Sequence, residues 1–316
     1  MQVGERWMRW TLAEAGTKTS TKLLQKVVGV TASSWINAVF ATTVISIVQV
    51  LVGLSVVTRQ GKSLFPGVSQ VTLSCAFGFV AFVMTTLSFV VFVFNGDIGV
   101  NTFIITLSIV PGAIIDRVFF GHKLNFRQWM GVLMAIFAGY AVLDFPSLSQ
   151  AFKSPTWVWL SLATALLAAV NQGITQKNKA VDPFVKNFWG GLTTLISGVV
   201  SLLIVGSLSV FTDFSVSMQK IWLISALMGF IIVGMWSFNL LSYKGGASIA
   251  LKKLVMNGSY LVTAMLGGVL IFNESLTAGK VSGILFFFIA FTLMDKGTWE
   301  FVRKSLGRKN EPANVV

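Results

Sequence analysis

Nine predominantly apolar segments run through this chain of 316 residues, each on the scale of the ~20 residues that cross about 30 Å of hydrocarbon. They lie at residues 35–57, 68–94, 100–119, 129–143, 157–174, 184–205, 221–241, 248–271 and 281–294. A backbone in lipid must satisfy its own hydrogen bonds, and segments of this kind do so as helices. Composition agrees: 54% of residues are hydrophobic and 11% charged, the mean hydropathy is +0.79, and 27 Phe with 10 Trp exceed what a water-soluble domain carries. The expected fold class is an all-α polytopic membrane protein.

A tenth segment, residues 7–28, is weaker. Trp7, Trp10, Leu24 and Val28 are apolar, but Glu14, Lys18 and Lys22 each cost about 2.5–3.5 kcal/mol at mid-membrane, so the segment would not insert alone. Their i, i+4, i+8 spacing lets Glu14 pair with Lys18. The segment is either a span or an amphipathic helix at the membrane surface, or it is an extra-membrane tail.

Internal duplication favours the span. Phe120-Gly121-His122-Lys123-Leu124, followed by Gly131 and an apolar run to Asp144, is echoed by Phe272-Asn273-Glu274-Ser275-Leu276, Gly283 and a run to Asp295. Upstream, Ser74-Cys75-Ala76-Phe77-Gly78-Phe79 answers Ser225-Ala226-Leu227-Met228-Gly229-Phe230. Residues 12–22 and Ser34-Trp35 lie where residues 165–177 and Asp182-Pro183-Phe184 lie in the second half. The plan is then about ten transmembrane helices: a first five-helix repeat over residues 1–145, a linker at 146–155 with Pro146 and Pro155 at its ends, a second repeat over 156–297, and a basic tail at 298–316. An odd number of helices per half inverts one repeat relative to the other, an arrangement that suits alternating access around a midplane site.

Charge sets the orientation. With ten helices and an inside N-terminus, Arg6, Arg9, Arg59, Lys62, Lys123, Arg127, Lys177, Lys179, Lys186, Lys244 and the tail cations Lys296, Arg303, Lys304, Arg308 and Lys309 face the cytoplasm. Only Lys26, Lys153, Lys220 and Lys280 fall on the other side. The net charge of +13 is thus mostly topology, and nucleic acid is not expected as a partner. The C-terminus is expected to be cytoplasmic.

Two five-helix halves, a linker, and a short helix-turn-helix ending each half resemble the drug/metabolite transporter superfamily, in its EamA-like and nucleotide-sugar-transporter-like branches. Phe272-Asn273-Glu274-Ser275-Leu276-Thr277 is similar to the family's turn of a large residue, Gly, Glu, any residue, Leu and Thr. The chain departs from that pattern where His122 replaces the turn glutamate, where Asn273 replaces the glycine, and where Gly267-Gly268 stands in place of a second-half proline.

Polar residues inside the spans are the candidate substrate contacts. In the ninth span Lys253, Asn257, Tyr260 and Ala264 share a face, with Lys252 adjoining. Both lysines are near enough to the membrane surface to snorkel; Asn257 is too deep. The fourth span offers Asn101 and Ser108, with Pro111 as a kink that frees backbone carbonyls. Others are Trp236 and Asn239 in the eighth span, Asn171, Gln172 and Thr175 in the sixth, and Lys18 in the first. Each polar residue of the fourth, sixth and eighth spans alone reads first as an interhelical hydrogen bond, and it is their clustering on facing helices of both halves that reads as a site. If the first segment spans, Lys18, Lys252, Lys253 and Lys177 would make the cavity electropositive.

Enzyme chemistry is not expected. Gly61-Lys62-Ser63 resembles the end of a phosphate-binding loop, but Val56 occupies the place of its first glycine. His122 is the single histidine and Cys75 the single cysteine, so no His-containing triad, zinc or cysteine metal site, or disulfide framework is expected, and no catalytic residue or cofactor is assigned. The N-terminus carries Glu5, Arg6 and Arg9 without the apolar core of a cleaved signal peptide. The expected function is secondary active transport of a small polar, anionic metabolite (a phosphorylated metabolite, nucleotide sugar or organic acid). The alternatives are a proton-coupled amino-acid or drug exporter, and a scaffold or lipid flippase. Expected partners are membrane lipid and a small-molecule substrate, with a homodimer as a further option. The expected membrane is a cell (inner) membrane, or else a Golgi-like one.

Overall fold

The computed structural model describes residues 3–121, 125–147, 150, 153–247, 249–294 and 299, with the side chains of 3–6, 250, 251, 253, 254 and 294 excepted. Eleven helices follow one another among these residues: α1 (Val3–Ala32), α2 (Trp35–Arg59), α3 (Val68–Val93), α4 (Ile98–Thr106), α5 (Ile109–Phe120), α6 (Phe126–Val142), α7 (Thr156–Lys177), α8 (Pro183–Ile204), α9 (Val216–Lys244), α10 (Ile249–Phe272) and α11 (Ala278–Met294). A 3-10 turn at Leu208–Thr212 precedes α9, and no strand occurs among the described residues. Taking α4 and α5 as one broken segment, seven of these helical segments are long and apolar enough to cross a membrane, and α6 and α11 are shorter apolar helices.

Polar residues at the boundaries start the helices. The Ser34 hydroxyl accepts the Asn37 N–H at 3.2 Å ahead of α2, and the Asp182 carboxylate accepts the Phe184 N–H at 2.8 Å ahead of α8. Each satisfies one of the donors that a helix N-terminus leaves unpaired. Asn125 and Gln128 form a reciprocal capping box at α6.

The doubled turns share a backbone conformation. Gly121 after α5 and Asn273 after α10 both take a left-handed φ, 71° and 54°. Helices often end on such a residue, and Asn is among the few besides Gly that adopt it readily. Asn273 therefore does the work of a glycine there. His122, Lys123 and Leu124 lie outside the described residues.

The fourth span is two helices, not one kinked helix. Pro111 lacks an N–H, and its ring clashes with the carbonyl four residues back, that of Leu107. The chain breaks at Leu107–Ser108, and Pro111 then occupies the first turn of α5, where a missing N–H does no harm.

Close helix approach depends on glycine. α2 and α8 run antiparallel, and a Cβ added at Gly53 would meet the backbone of Phe184 and Phe188, one at Gly191 the side chain of Gln49, and one at Gly198 that of Thr43. A Cβ at Gly78 on α3 would strike the backbone of Gly190 on α8.

The packing partners follow a rule. α2 packs on α8, and α6 on α11; α1 packs along α9 while α3 packs along α7; α3 packs on α8 while α2 packs on α9; α1 packs on α10 while α4 and α5 pack on α7.

α1 lies within this bundle, which rules out a detached tail or surface helix. Thr11, Glu14, Ala15, Thr21, Lys22, Gln25 and Val28 are all buried along its length. Its polar side chains are tolerated because they find partners on α9 and α10: Thr11 donates to Ser242 at 3.2 Å, and Thr19 meets Thr263 at 2.7 Å.

Candidate functional site

Halfway along α1 the helices part around a cavity of about 100 Å³, counted as room for the centres of water molecules. One such centre needs only 10–15 Å³ by the usual criterion, so several waters or a small solute fit. The walls come from α1 (Glu14, Lys18, Thr21, Lys22 and Gln25), α3 (Phe77, Met84, Thr85 and Ser88) and Ile105 of α4, and from α7 (Thr164, Ala168, Asn171 and Gln172), α9 (Ile232, Met235, Trp236 and Asn239) and Tyr260 of α10.

One polar network ties four helices together beside this space. The Lys252 ammonium on α10 lies 2.8 Å from Glu14 Oε2 on α1, both side chains almost fully buried. Asn239 on α9 donates from Nδ2 to Glu14 Oε1 at 2.8 Å and to Gln172 Oε1 on α7 at 3.0 Å. The same Gln172 oxygen accepts the Tyr243 hydroxyl at 2.7 Å and the Lys252 ammonium at 3.2 Å. Burying an ion pair is tolerable only when both charges are matched and hydrogen-bonded, a condition this network meets.

Two expectations change here. Glu14 pairs with Lys252, not with Lys18, because Lys252 comes to it from α10. Nor does Lys252 snorkel; it is fully buried, and the ion pair replaces the water it gives up. The side chain of Lys253 lies outside the described residues. Lys177 is exposed and not part of the cavity wall.

Lys18, Asn171, Gln172, Trp236, Asn239 and Tyr260 reach the cavity. Asn101 does not: its Nδ2 donates to Ser161 at 2.6 Å, tying α4 to α7. Asn257 donates to the Thr106 carbonyl at 3.2 Å, satisfying an acceptor freed by the α4–α5 break. Ser108 is buried at that break, and Thr175 donates to the Asn171 carbonyl within α7. Pro111 stands at the start of α5, away from the cavity wall.

Several residues at or beside the cavity were not among the substrate contacts expected from sequence. Lys22, Thr21, Gln25, Thr164 and Phe77 line the cavity. Lys186, expected in a cytoplasmic connection, is buried on α8, 3.0 Å from Thr175 Oγ1 and 3.6 Å above the Phe77 ring. The available signal was the phase of α8: Lys186 lies one turn before Gly190, whose face packs on α3.

The two cavity ammoniums sit on aromatic faces. Lys18 Nζ is 4.5 Å from the Tyr260 ring centre, and Lys22 Nζ is 4.8 Å from that of Phe92. A ring face attracts a cation but carries no net charge to neutralise it. Phe77 and Trp236 meet edge-on at 4.5 Å, completing an aromatic side to a polar pocket.

At the end of the bundle bearing Lys26, the turn after α10 is fastened to α1 and α4. Glu274 forms an ion pair with Lys26 and accepts the N–H groups of Ile98 and Gly99, the latter at 3.2 Å. Asp97 pairs with Lys280 at 2.6 Å, and Thr277 donates to Asp144 at 3.2 Å. At the other end, Lys62 pairs with Asp182, also at 2.6 Å.

These features define an all-helical protein with several membrane-length apolar helices, consistent with a multi-pass membrane protein. No family model and no curated protein matches the chain. A protein known from its crystal structure is similar in fold, one of 28 solved chains that match: the TM-score is 0.59 at 14% identity, covering 89% of this chain and 97% of that one.

Proposed function

We propose that this chain is a secondary active transporter moving a small polar, anionic metabolite by alternating access between two inverted five-helix repeats. The observation that carries the reading is a mid-bundle cavity into which Lys18 and Lys22 project with no carboxylate of their own, while Glu14 is held by Lys252. Buried cations without counter-ions are costly, and an arriving anion lowers that cost.

Packing supports the two-repeat plan. Count α1, α2, α3, the α4–α5 pair and α6 as one half, and α7 to α11 as the other. Exchanging each helix with its counterpart turns the α1–α9 contact into α7–α3, α2–α9 into α8–α3, and α1–α10 into α7–α4/α5, all of which occur. The cavity walls then come from the first, third and fourth spans of each half. The basic connections support a cytoplasmic C-terminus, and the membrane proposed is a cell (inner) membrane, with a Golgi-like membrane as the alternative.

The aromatic wall of Phe77, Trp236 and Tyr260 favours a second reading, export of an amino acid or a drug-like solute. A thermal-shift screen of purified protein against nucleotide sugars, sugar phosphates, organic acids and amino acids, followed by counterflow in proteoliposomes, separates the two. Stabilisation and counterflow by an anionic class are expected. Folded protein that exchanges none of these solutes would sink the transport reading in favour of a scaffold or lipid flippase.

A further inference from the structure

We infer that the cavity takes a small dicarboxylate, one carboxylate on Lys18 and the other on Lys22; this rests on the reading of the cavity as a substrate site. The two lysines stand one helical turn apart on α1, and both reach the cavity. Neither makes an ion pair or hydrogen bond among the described residues. Lys22 is only 3% exposed, and what it exposes lies on the cavity wall.

The cations are held apart. Lys18 leans on Tyr260 of α10 and Lys22 on Phe92 of α3, two different helices. A single compact anion such as phosphate would need both ammoniums to leave their rings and converge. Two carboxylates joined by a short chain instead let each ammonium take its own partner, from side chains that start about 5–6 Å apart at Cβ. The carboxylate on the cavity wall, Glu14, is directed to Lys252 and Asn239 and forms no ion pair with either lysine. The apolar wall at Met84 and Ile232 accommodates the methylenes between the two ends.

The test uses the purified full-length chain in detergent at constant ionic strength, titrated with succinate, with butyrate as the monoanion of equal chain length, and with inorganic phosphate. Thermal stabilisation is the readout. Succinate is expected to half-saturate at a concentration about tenfold below either control, the effect of one added charged contact. Lys18→Gln and Lys22→Gln are each expected to raise that concentration about tenfold for succinate and to move butyrate far less. Lys22→Arg keeps the charge and most of the preference, and it serves if a Gln variant does not fold. Equal response to succinate and butyrate, preference for phosphate, or a succinate preference that survives Lys22→Gln would overturn the inference. Succinate binding without counterflow removes the transport reading and keeps the diacid site; counterflow of another solute without succinate binding does the reverse.

Discussion

Glu274, in the turn between α10 and α11, accepts the backbone N–H of Ile98 at 2.7 Å, so a carboxylate from late in the chain caps a helix that begins 176 residues earlier. The same carboxylate pairs with Lys26 on α1. Glu274→Ala should therefore destabilise by about 1–3 kcal/mol, the range for losing a cap and a charged hydrogen bond together. Glu274→Gln keeps an acceptor for Ile98 but not the ion pair, so its melting temperature in detergent should fall between wild type and the Ala variant. Equal loss in both would mean that the cap contributes nothing.

The Glu14–Lys252 pair should behave non-additively. Glu14→Gln or Lys252→Met alone strands a buried charge, at about 3–5 kcal/mol. The double variant removes both charges and should recover much of that loss. A double variant as unstable as the sum of the singles would show that the two side chains act independently.

Two glycines should respond in opposite directions to the same substitution. In Gly78→Ala the new methyl meets the Gly190 backbone, which cannot swing aside as a side chain would, and a loss of about 1–3 kcal/mol is expected. Gly16 on α1 has open space around it, so Gly16→Ala should stabilise by up to about 1 kcal/mol. Thermal melts of the two variants in one detergent decide the matter.

Asp182 gives the acid limb of stability a defined sign. Burial pushes its carboxyl upward, but the Lys62 ammonium and the N–H groups of Phe184 and Val185 outweigh this and hold it below the usual value. A carboxylate whose folded value is depressed contributes stability above its unfolded value, about 3.9, and loses it as the pH falls through the folded one. Asp182→Asn should be less stable than wild type at neutral pH, and the difference should shrink as the pH drops below about 4. A constant difference across a melt series from pH 7 to pH 3 would count against this role.

Hydropathy was enough to locate the apolar helices, because a long run of Val, Leu, Ile and Phe has one stable form in lipid. It could not decide α1, whose fit depends on Ser242, Lys252 and Thr263, residues that no local window contains. The α4–α5 break was half legible: Pro111 announced a disturbance, but its displacement to the Leu107 carbonyl follows from backbone sterics in three dimensions. Charge counting misled at Lys186. It treats every cation near a span end as solvated, whereas this one turns inward onto Phe77. Among the candidate polar residues, sequence could not separate those that reach open space, such as Gln172 and Tyr260, from those spent on other helices, such as Asn101 and Asn257. That distinction is a matter of which helix stands opposite.

The partners of α1 carry a consequence for biogenesis. Asn239, which holds Glu14, is 225 residues downstream, and Ser242 lies 231 residues beyond Thr11. When the first helix leaves the ribosome, none of the groups that make its charges tolerable has been synthesised. Its final seat therefore becomes available only after α9 and α10 have been made, and the segment that comes first in the chain is among the last to be placed.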